Sequence, residues 1–212
     1  MHKFARIILL VALLALPAVS AQASLVGGYF INFQPELQGE QPVEVPEGYV
    51  PDYGHAFGDQ GPSWMPGLYG TYGWLDVNGP VDNTAQARLR EMHADLRFDT
   101  LNHMQLNGMF YSWQIQLDNG LYNIELGCGD PQYGSTNDLL IEGLAVTDTK
   151  GGDDTIVYSL SDVEVTDGYL TLSPIDGAGA KLSYIHITPV PEPASMVVLG
   201  LGGMGVLLRR RR

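Results

Sequence analysis

From Leu25 to Thr188 the chain alternates apolar and polar residues over short runs that Gly, Pro, Asn and Asp interrupt. A period of two marks a strand with one buried face, and helical periodicity is nearly absent. Strands are expected from Tyr29 to Gln34, Leu96 to Met104, Phe110 to Leu117, Leu121 to Cys128, Asp138 to Glu142, Thr155 to Leu160, Val163 to Thr166, Tyr169 to Leu172 and Leu182 to Ile187. Asp118-Asn119-Gly120 and Asp167-Gly168 read as the turns of two hairpins, because Asn-Gly and Asp-Gly tolerate the positive φ of primed turns. Thr84 to Leu96, with Leu89, Met92 and Leu96 at helical spacing, is the one stretch that reads as a short helix. Pro35 to Asn83 reads as an ordered loop, rich in Pro and Gly and pinned by Tyr49, Tyr53, Phe57, Trp64, Tyr69, Tyr72 and Trp74. A structureless stretch of that length inside a domain is expected to lie over one end or face and to line any cleft. No repeat of 20 to 50 residues is visible. The pattern predicts a single all-β sandwich.

Both ends depart from this alternation. Met1 to Ala23 has a basic start (His2, Lys3, Arg6), an apolar run from Ile7 to Val19, and Ala21-Gln22-Ala23 with small residues at the two cleavage-determining positions. That order predicts a secretory signal peptide cut after Ala23, the apolar run being short of the ~20 residues that span a bilayer. At the other end Val190-Pro191-Glu192-Pro193-Ala194-Ser195 is followed by apolar Met196 to Leu208 and by Arg209 to Arg212. Arginines behind an apolar span hold that end in the cytoplasm. The division is therefore signal peptide 1–23, sandwich 24–189 and C-terminal signal 190–212.

The C-terminal segment resembles the PEP-CTERM sorting signal, in which Pro-Glu-Pro precedes a short membrane segment and an Arg cluster. The resemblance implies a Gram-negative bacterium, export by the secretion machinery, transient insertion of residues 196–208 in the inner membrane, and processing by an exosortase at Pro191, Glu192 and Pro193. The protein would then pass to the cell surface or the exopolysaccharide matrix. Physically, two prolines present an extended segment that an enzyme can grip outside the bilayer.

Charge narrows the partners. Five of the eleven basic residues lie between the two ends, against 23 of the 24 acids, so the domain carries a net charge close to −18. Duplex binding depends on Lys and Arg releasing counterions, so nucleic acid is excluded as a partner. Cys128 is the single cysteine; with no internal disulfide available it reads as a small buried hydrophobe on a strand.

Several short segments fall in one order: Ile31-Asn32-Phe33-Gln34-Pro35, Val45 to Gly54, Tyr72-Gly73-Trp74, Asp95 to Met104, Trp113 to Tyr122 and Gly129-Asp130-Pro131. That order resembles the galactose-binding-like, malectin-type jelly roll, over most of Ile31 to Ile187. The resemblance implies a carbohydrate-binding fold, and sites must be argued separately from fold. Candidate sugar contacts are the rings of Tyr72, Trp74 and Tyr133, the guanidinium of Arg97, and Asn102 and Asp130. Three of them have a stated structural alternative: Trp74 can plug the sandwich end, Arg97 can form a salt bridge, and Asp130 can cap the turn before Pro131. Phe33 and Trp113 read as core.

Enzyme signatures are weak. Gly-x-Ser-x-Gly is missing, Gly129-Asp130-Pro131 lacks the serine of an SGNH esterase, and Ser135 has no spacing cue. His55, His93, His103 and His186 do not form a His-Glu-x-x-His zinc motif. Paired carboxylates for glycoside hydrolysis are set by space rather than by sequence. Asp148, Asp153 and Asp154 lack EF-hand spacing, so no ligand set is assigned, and a structural Ca2+ elsewhere is the one cofactor left open. The expectation is a non-catalytic, carbohydrate-binding-like surface module. The alternatives are a structural matrix protein that binds no sugar and, third, a polysaccharide-acting enzyme. A sugar binder should keep Tyr72, Trp74 or Tyr133 exposed beside a cleft.

Overall fold

The computed structural model describes residues 27–61, 68–149 and 155–191. The expected cleavage site at Ala23, the residues Glu192 and Pro193, and the apolar span 196–208 lie outside the described residues. Among the described residues no helix is long and apolar enough to cross a membrane.

The described residues form twelve strands of three residues or more: β1 (Tyr29–Phe33), β2 (Val50–Asp52), β3 (Thr71–Asp76), β4 (Ala87–Leu89), β5 (Thr100–His103), β6 (Ser112–Gln116), β7 (Gly120–Gly129), β8 (Leu139–Ile141), β9 (Leu144–Val146), β10 (Thr155–Val165), β11 (Tyr169–Pro174) and β12 (Lys181–Pro189). One sheet runs β10-β7-β12-β1-β2, with β5 beside the start of β12 and β4 outside β5. The other runs β9-β8-β11-β6-β3, with Gly58–Asp59 at its edge. Their facing sides close over Ile31, Phe33, Trp113, Ile115, Leu126 and Leu172, each 0% exposed. The chain is thus an all-β jelly-roll sandwich: the sandwich is what its alternation predicts and the jelly roll what the resemblance implies, with Phe33, Trp113 and Cys128 buried as read from sequence.

Both predicted hairpins are sheet-to-sheet corners instead. β6 and β7 lie in opposite sheets, and so do β10 and β11. Turn residues report that the chain reverses, but not whether it returns within the same sheet. Here the inward faces of β6 (Trp113, Ile115) and β7 (Ile124, Leu126) are buried against opposite sides of one core. The corners hold each other: the Leu117 N–H donates to the Gly168 carbonyl at 2.9 Å and Asn119 Nδ2 donates to the Thr166 carbonyl at 2.8 Å.

The expected loop from Pro35 to Asn83 contains β2 and a full core strand, β3. Tyr72 and Trp74, two apart on that strand, both turn inward and are 1% and 0% exposed. Gly73 between them has φ +137°, and a Cβ there would sit 2.6 Å from the His55 carbonyl oxygen. Only glycine lets residues 55–56 cross so close, and that glycine interrupts the β-propensity signal.

The short helix expected from Thr84 to Leu96 is a single 3-10 turn at Thr84–Gln86 followed by β4. The expected strand from Leu96 to Met104 begins later, as β5, after a 3-10 turn at Leu96–Phe98. Asp95 accepts the Arg97 N–H and Asp99 accepts those of Met92 and His93, so local carboxylates take the donors that a helix or ladder would use. The strands expected from Thr155 and Val163 are one strand, β10, that bends where Asp162 takes φ +57° and the register with β7 shifts.

Candidate functional site

Strand register gathers positive charge at one corner of the first sheet. Arg88 on β4 faces Leu101 on β5, and His103, two residues further along β5, pairs with Lys181 at the start of β12. Residues two apart share a face, so Arg88, Arg90, His103 and Lys181 come to one side. The strand end at Gly129 then delivers Asp130 among them. The result is a pocket of about 400 Å³ whose lining includes Arg88, Arg90, His103, Asp130, Tyr133 and Lys181, together with Gln105 and Ser135.

At its base is a buried ion pair. Arg90 forks onto Asp130, Nε to Oδ1 at 2.8 Å and Nη2 to Oδ2 at 2.6 Å, while the Gln132 N–H donates to Oδ1 at 2.9 Å. Lys181 lies 4.0 Å from Oδ2 and also donates to the Tyr133 carbonyl. Burial alone would raise the Asp130 pKa, but these donors outweigh it and hold the carboxyl below the ordinary value of 3.8. The Arg90 guanidinium lies 5.2 Å from the Tyr133 ring centroid. The ring is thus backed by a cation that the carboxylate fixes, and Tyr133 remains 58% exposed. His103 is buried, and burial first, then Lys181 and Arg88, lowers its pKa to about 4.

Of the predicted contacts, Asp130 and Tyr133 therefore meet at one pocket. Asp130 works as a counter-ion and as the cap of its turn, with its oxygens taken by Arg90 and Gln132, so the reading of it as a free acceptor for sugar is corrected. Asn102 is 0% exposed, and its Oδ1 accepts from Asn83 Nδ2 at 3.2 Å beneath β4. It cannot reach a ligand. Tyr72 and Trp74 offer no ring face either: Tyr72 donates to the Pro51 carbonyl at 2.9 Å and the Trp74 indole to Asp52 at 2.9 Å, both inside the sandwich. The sequence reading missed Arg88, Arg90, His103 and Lys181 as site residues. The alternation Arg88-Leu89-Arg90 was the available signal, but its convergence with residues 103 and 181 is set by register.

Arg97 lies elsewhere, on the outer side of the first sheet. It forks onto Asp95, with Nη2 to Oδ2 at 2.6 Å, and its Cζ stacks 4.6 Å from the Tyr184 ring centroid. Donating to the Asp95 carboxylate raises its pKa. The ring lies there because Gly127, paired with Tyr184, has no side chain; a Cβ would meet the ring at 2.2 Å. Phe30, Tyr49 and His186 complete this aromatic patch, and Tyr184 Oη donates to Glu125 Oε1 at 2.9 Å. Arg97 is thus in the salt-bridged role, and the six predicted contacts are not one site.

Concavities also lie elsewhere on the sandwich. One, of about 580 Å³, has Tyr53, Tyr69, His55 and Asp82 on its walls. Another, about 510 Å³, runs along the corner between β6 and β7 and includes Val190 and Pro191. The Val190 N–H donates to the Leu121 carbonyl at 2.8 Å, so the sandwich holds the chain up to the residue where the C-terminal signal begins. Among the described residues no three of His, Cys, Asp or Glu are gathered to hold a metal ion, so no site for the Ca2+ left open by sequence is assigned.

No curated protein matches the chain in sequence. Among solved structures, a Bacillus subtilis protein solved as a structural-genomics target aligns at TM-score 0.44 and 17% identity, over 76% of this chain and 40% of its own. A Bacteroides uniformis β-glucuronidase aligns at TM-score 0.46 and 11% identity, over 77% of this chain and 18% of its own. The CBM36-1 domain of a multidomain xylanase from a Trinervitermes trinervoides hindgut metagenome aligns at TM-score 0.28 and 16% identity, over 43% of this chain and 87% of its own. The chain thus spans less than half the length of the first and less than a fifth of the second. Residues 189–212 match the PEP-CTERM protein-sorting motif, which marks the protein for export across the inner membrane and exosortase processing.

Proposed function

We propose that the sandwich is a non-catalytic polysaccharide-binding module that reaches the cell surface or exopolysaccharide matrix once its tail is removed. The observation that carries this reading is Tyr133: a ring 58% exposed at the rim of a pocket, backed by Arg90, which Asp130 in turn locks from below. A sugar packs its C–H face on such a ring, and a ring already held in place gives up little freedom on binding. Gln105 and Ser135 also line the pocket; Gln105 Oε1 accepts the Gly179 N–H at 2.7 Å and Ser135 Oγ donates to Asn137 Oδ1 at 2.8 Å, so the Gln105 amide NH2 and the Ser135 lone pairs are the groups they offer to hydroxyls. Glycoside hydrolysis works with two carboxylates, whereas this pocket is lined by one, and Arg90 neutralises it.

A glycan array probed with the purified chain and with Tyr133→Ala tests the reading. Saturable binding to one glycan class, lost in a variant that still unfolds at the wild-type temperature, supports it. Absence of binding in the wild type overturns it in favour of a structural matrix protein sorted by its tail.

A further inference from the structure

We infer that this pocket selects a sugar residue bearing a carboxylate over its neutral counterpart, an inference that rests on the pocket's being a saccharide site. The five basic residues between the two ends are Arg88, Arg90, Arg97, Lys150 and Lys181. Three of these line this single pocket, in a domain with 23 acids. Asp130 is the one acid in the lining, so two positive charges remain in excess when His103 is neutral.

Arg90 and Lys181 are committed to Asp130 and to the Tyr133 carbonyl. Arg88 differs. Its Nη1 donates to the carbonyls of Ala85 at 2.8 Å and Ala87 at 2.7 Å, and none of its described contacts is a carboxylate. Those two bonds fix the guanidinium and leave the rest of its fork for a ligand, and a planar fork matches a carboxylate through paired N–H donors. A half-buried cation kept apart from the acids of so acidic a protein is placed to receive an anion from outside. The low pKa of His103 fits the same picture: burial comes first, but Lys181 and Arg88 both push it down, as a locally positive pocket would.

The remaining negative surface sets a limit on the ligand. Repulsion between the domain and a dense polyanion is long-ranged, yet it is screened beyond ~8 Å at physiological salt, whereas the pairing inside the pocket is a contact. A short saccharide with few carboxylates suits this balance.

The test compares digalacturonate with its methyl ester, which keeps the ring shapes and removes the charge, by titration calorimetry on the full chain at 0.15 M salt. The free acid should bind about tenfold more tightly than the ester, as a charge-assisted pair replaces a neutral contact. Arg88→Gln should bring the two affinities together, and Arg88→Lys, which keeps the charge, should retain most of the preference. Equal affinity of the wild type for acid and ester, or binding of neutral glycans alone at Tyr133, overturns the inference and leaves the saccharide reading standing. Failure of every glycan to bind removes both.

Discussion

The indole Nε1 of Trp74 lies 2.9 Å from Oδ1 of Asp52, deep between the two sheets. The neighbouring Trp113, in register with Trp74 across β3 and β6, donates to Oδ2 at 2.7 Å, and the Gly54 N–H reaches Oδ1 at 2.7 Å. Phe33 stands edge-on to both indoles, at centroid distances of 6.0 and 5.4 Å. One carboxylate thus satisfies the polar edges of two tryptophans that the core would otherwise bury unpaired. Burial raises the Asp52 pKa even though all three donors oppose it.

Asp52→Asn is therefore predicted to destabilise the fold although it removes a buried charge. An amide offers one acceptor oxygen and turns its NH2 toward the second indole N–H, leaving donor against donor. The expected loss is about 1–3 kcal/mol, measured by denaturant unfolding. An unchanged midpoint would contradict this account of the core.

Two aromatic substitutions should separate support from recognition. Trp74→Ala empties a fully buried site and should cost about 3–5 kcal/mol in stability. Tyr133→Ala, at a ring 58% exposed, should stay within about 0.5 kcal/mol of wild type. Thermal unfolding of both variants checks this, and similar losses in the two would place Tyr133 in the core.

The pocket makes stability depend on pH in two windows. His103, with a folded pKa of about 4 against an ordinary 6.5, binds its proton more readily when unfolded. Stability should then fall as pH drops from 6.5 toward 4, by a total on the order of 3 kcal/mol, and this slope should flatten in His103→Gln. Asp130 acts lower: its contribution is complete above the ordinary value of 3.8 and is lost as pH falls through its depressed folded value. Denaturant midpoints from pH 7 to pH 3 in wild type and His103→Gln would resolve the two windows.

Gly127→Ala should be disruptive out of proportion to one methyl group. The added carbon would meet the Tyr184 ring at 2.2 Å, and displacing the ring also dislodges Arg97. A loss of about 1–3 kcal/mol is expected in unfolding experiments, and a neutral effect would show that the ring can relocate freely.

Much of the fold is written in the alternation, because strand burial repeats every second residue: β1, β6, β7 and β12 each lie where the pattern places them. The sequence hid what depends on long-range closure. Asp118-Asn119-Gly120 has the chemistry of a hairpin turn, but whether β7 returns beside β6 or crosses to the other sheet depends on strands far along the chain. β3 was masked by Gly73, whose reason for being there is a backbone crossing seen only in three dimensions. The same holds at the pocket. Tyr133 and Asp130 were legible as an aromatic and an acceptor leaving a strand, whereas Arg88, Arg90, His103 and Lys181 join them only through the register of β4, β5 and β12. Tyr72 and Trp74 were misplaced because an aromatic in a Gly/Pro-rich stretch gives no sign of which way it faces.

The central claim, that saccharide binds at the Arg90-backed Tyr133, is tested most directly by mapping backbone amide NMR shifts on addition of the best glycan from the array. Perturbations are predicted to centre on residues 88–90, 130–135 and 179–181, and to vanish in Tyr133→Ala. Shifts centred instead on the cleft between Tyr53 and Tyr69, or no saturable shifts with any glycan, would contradict the account.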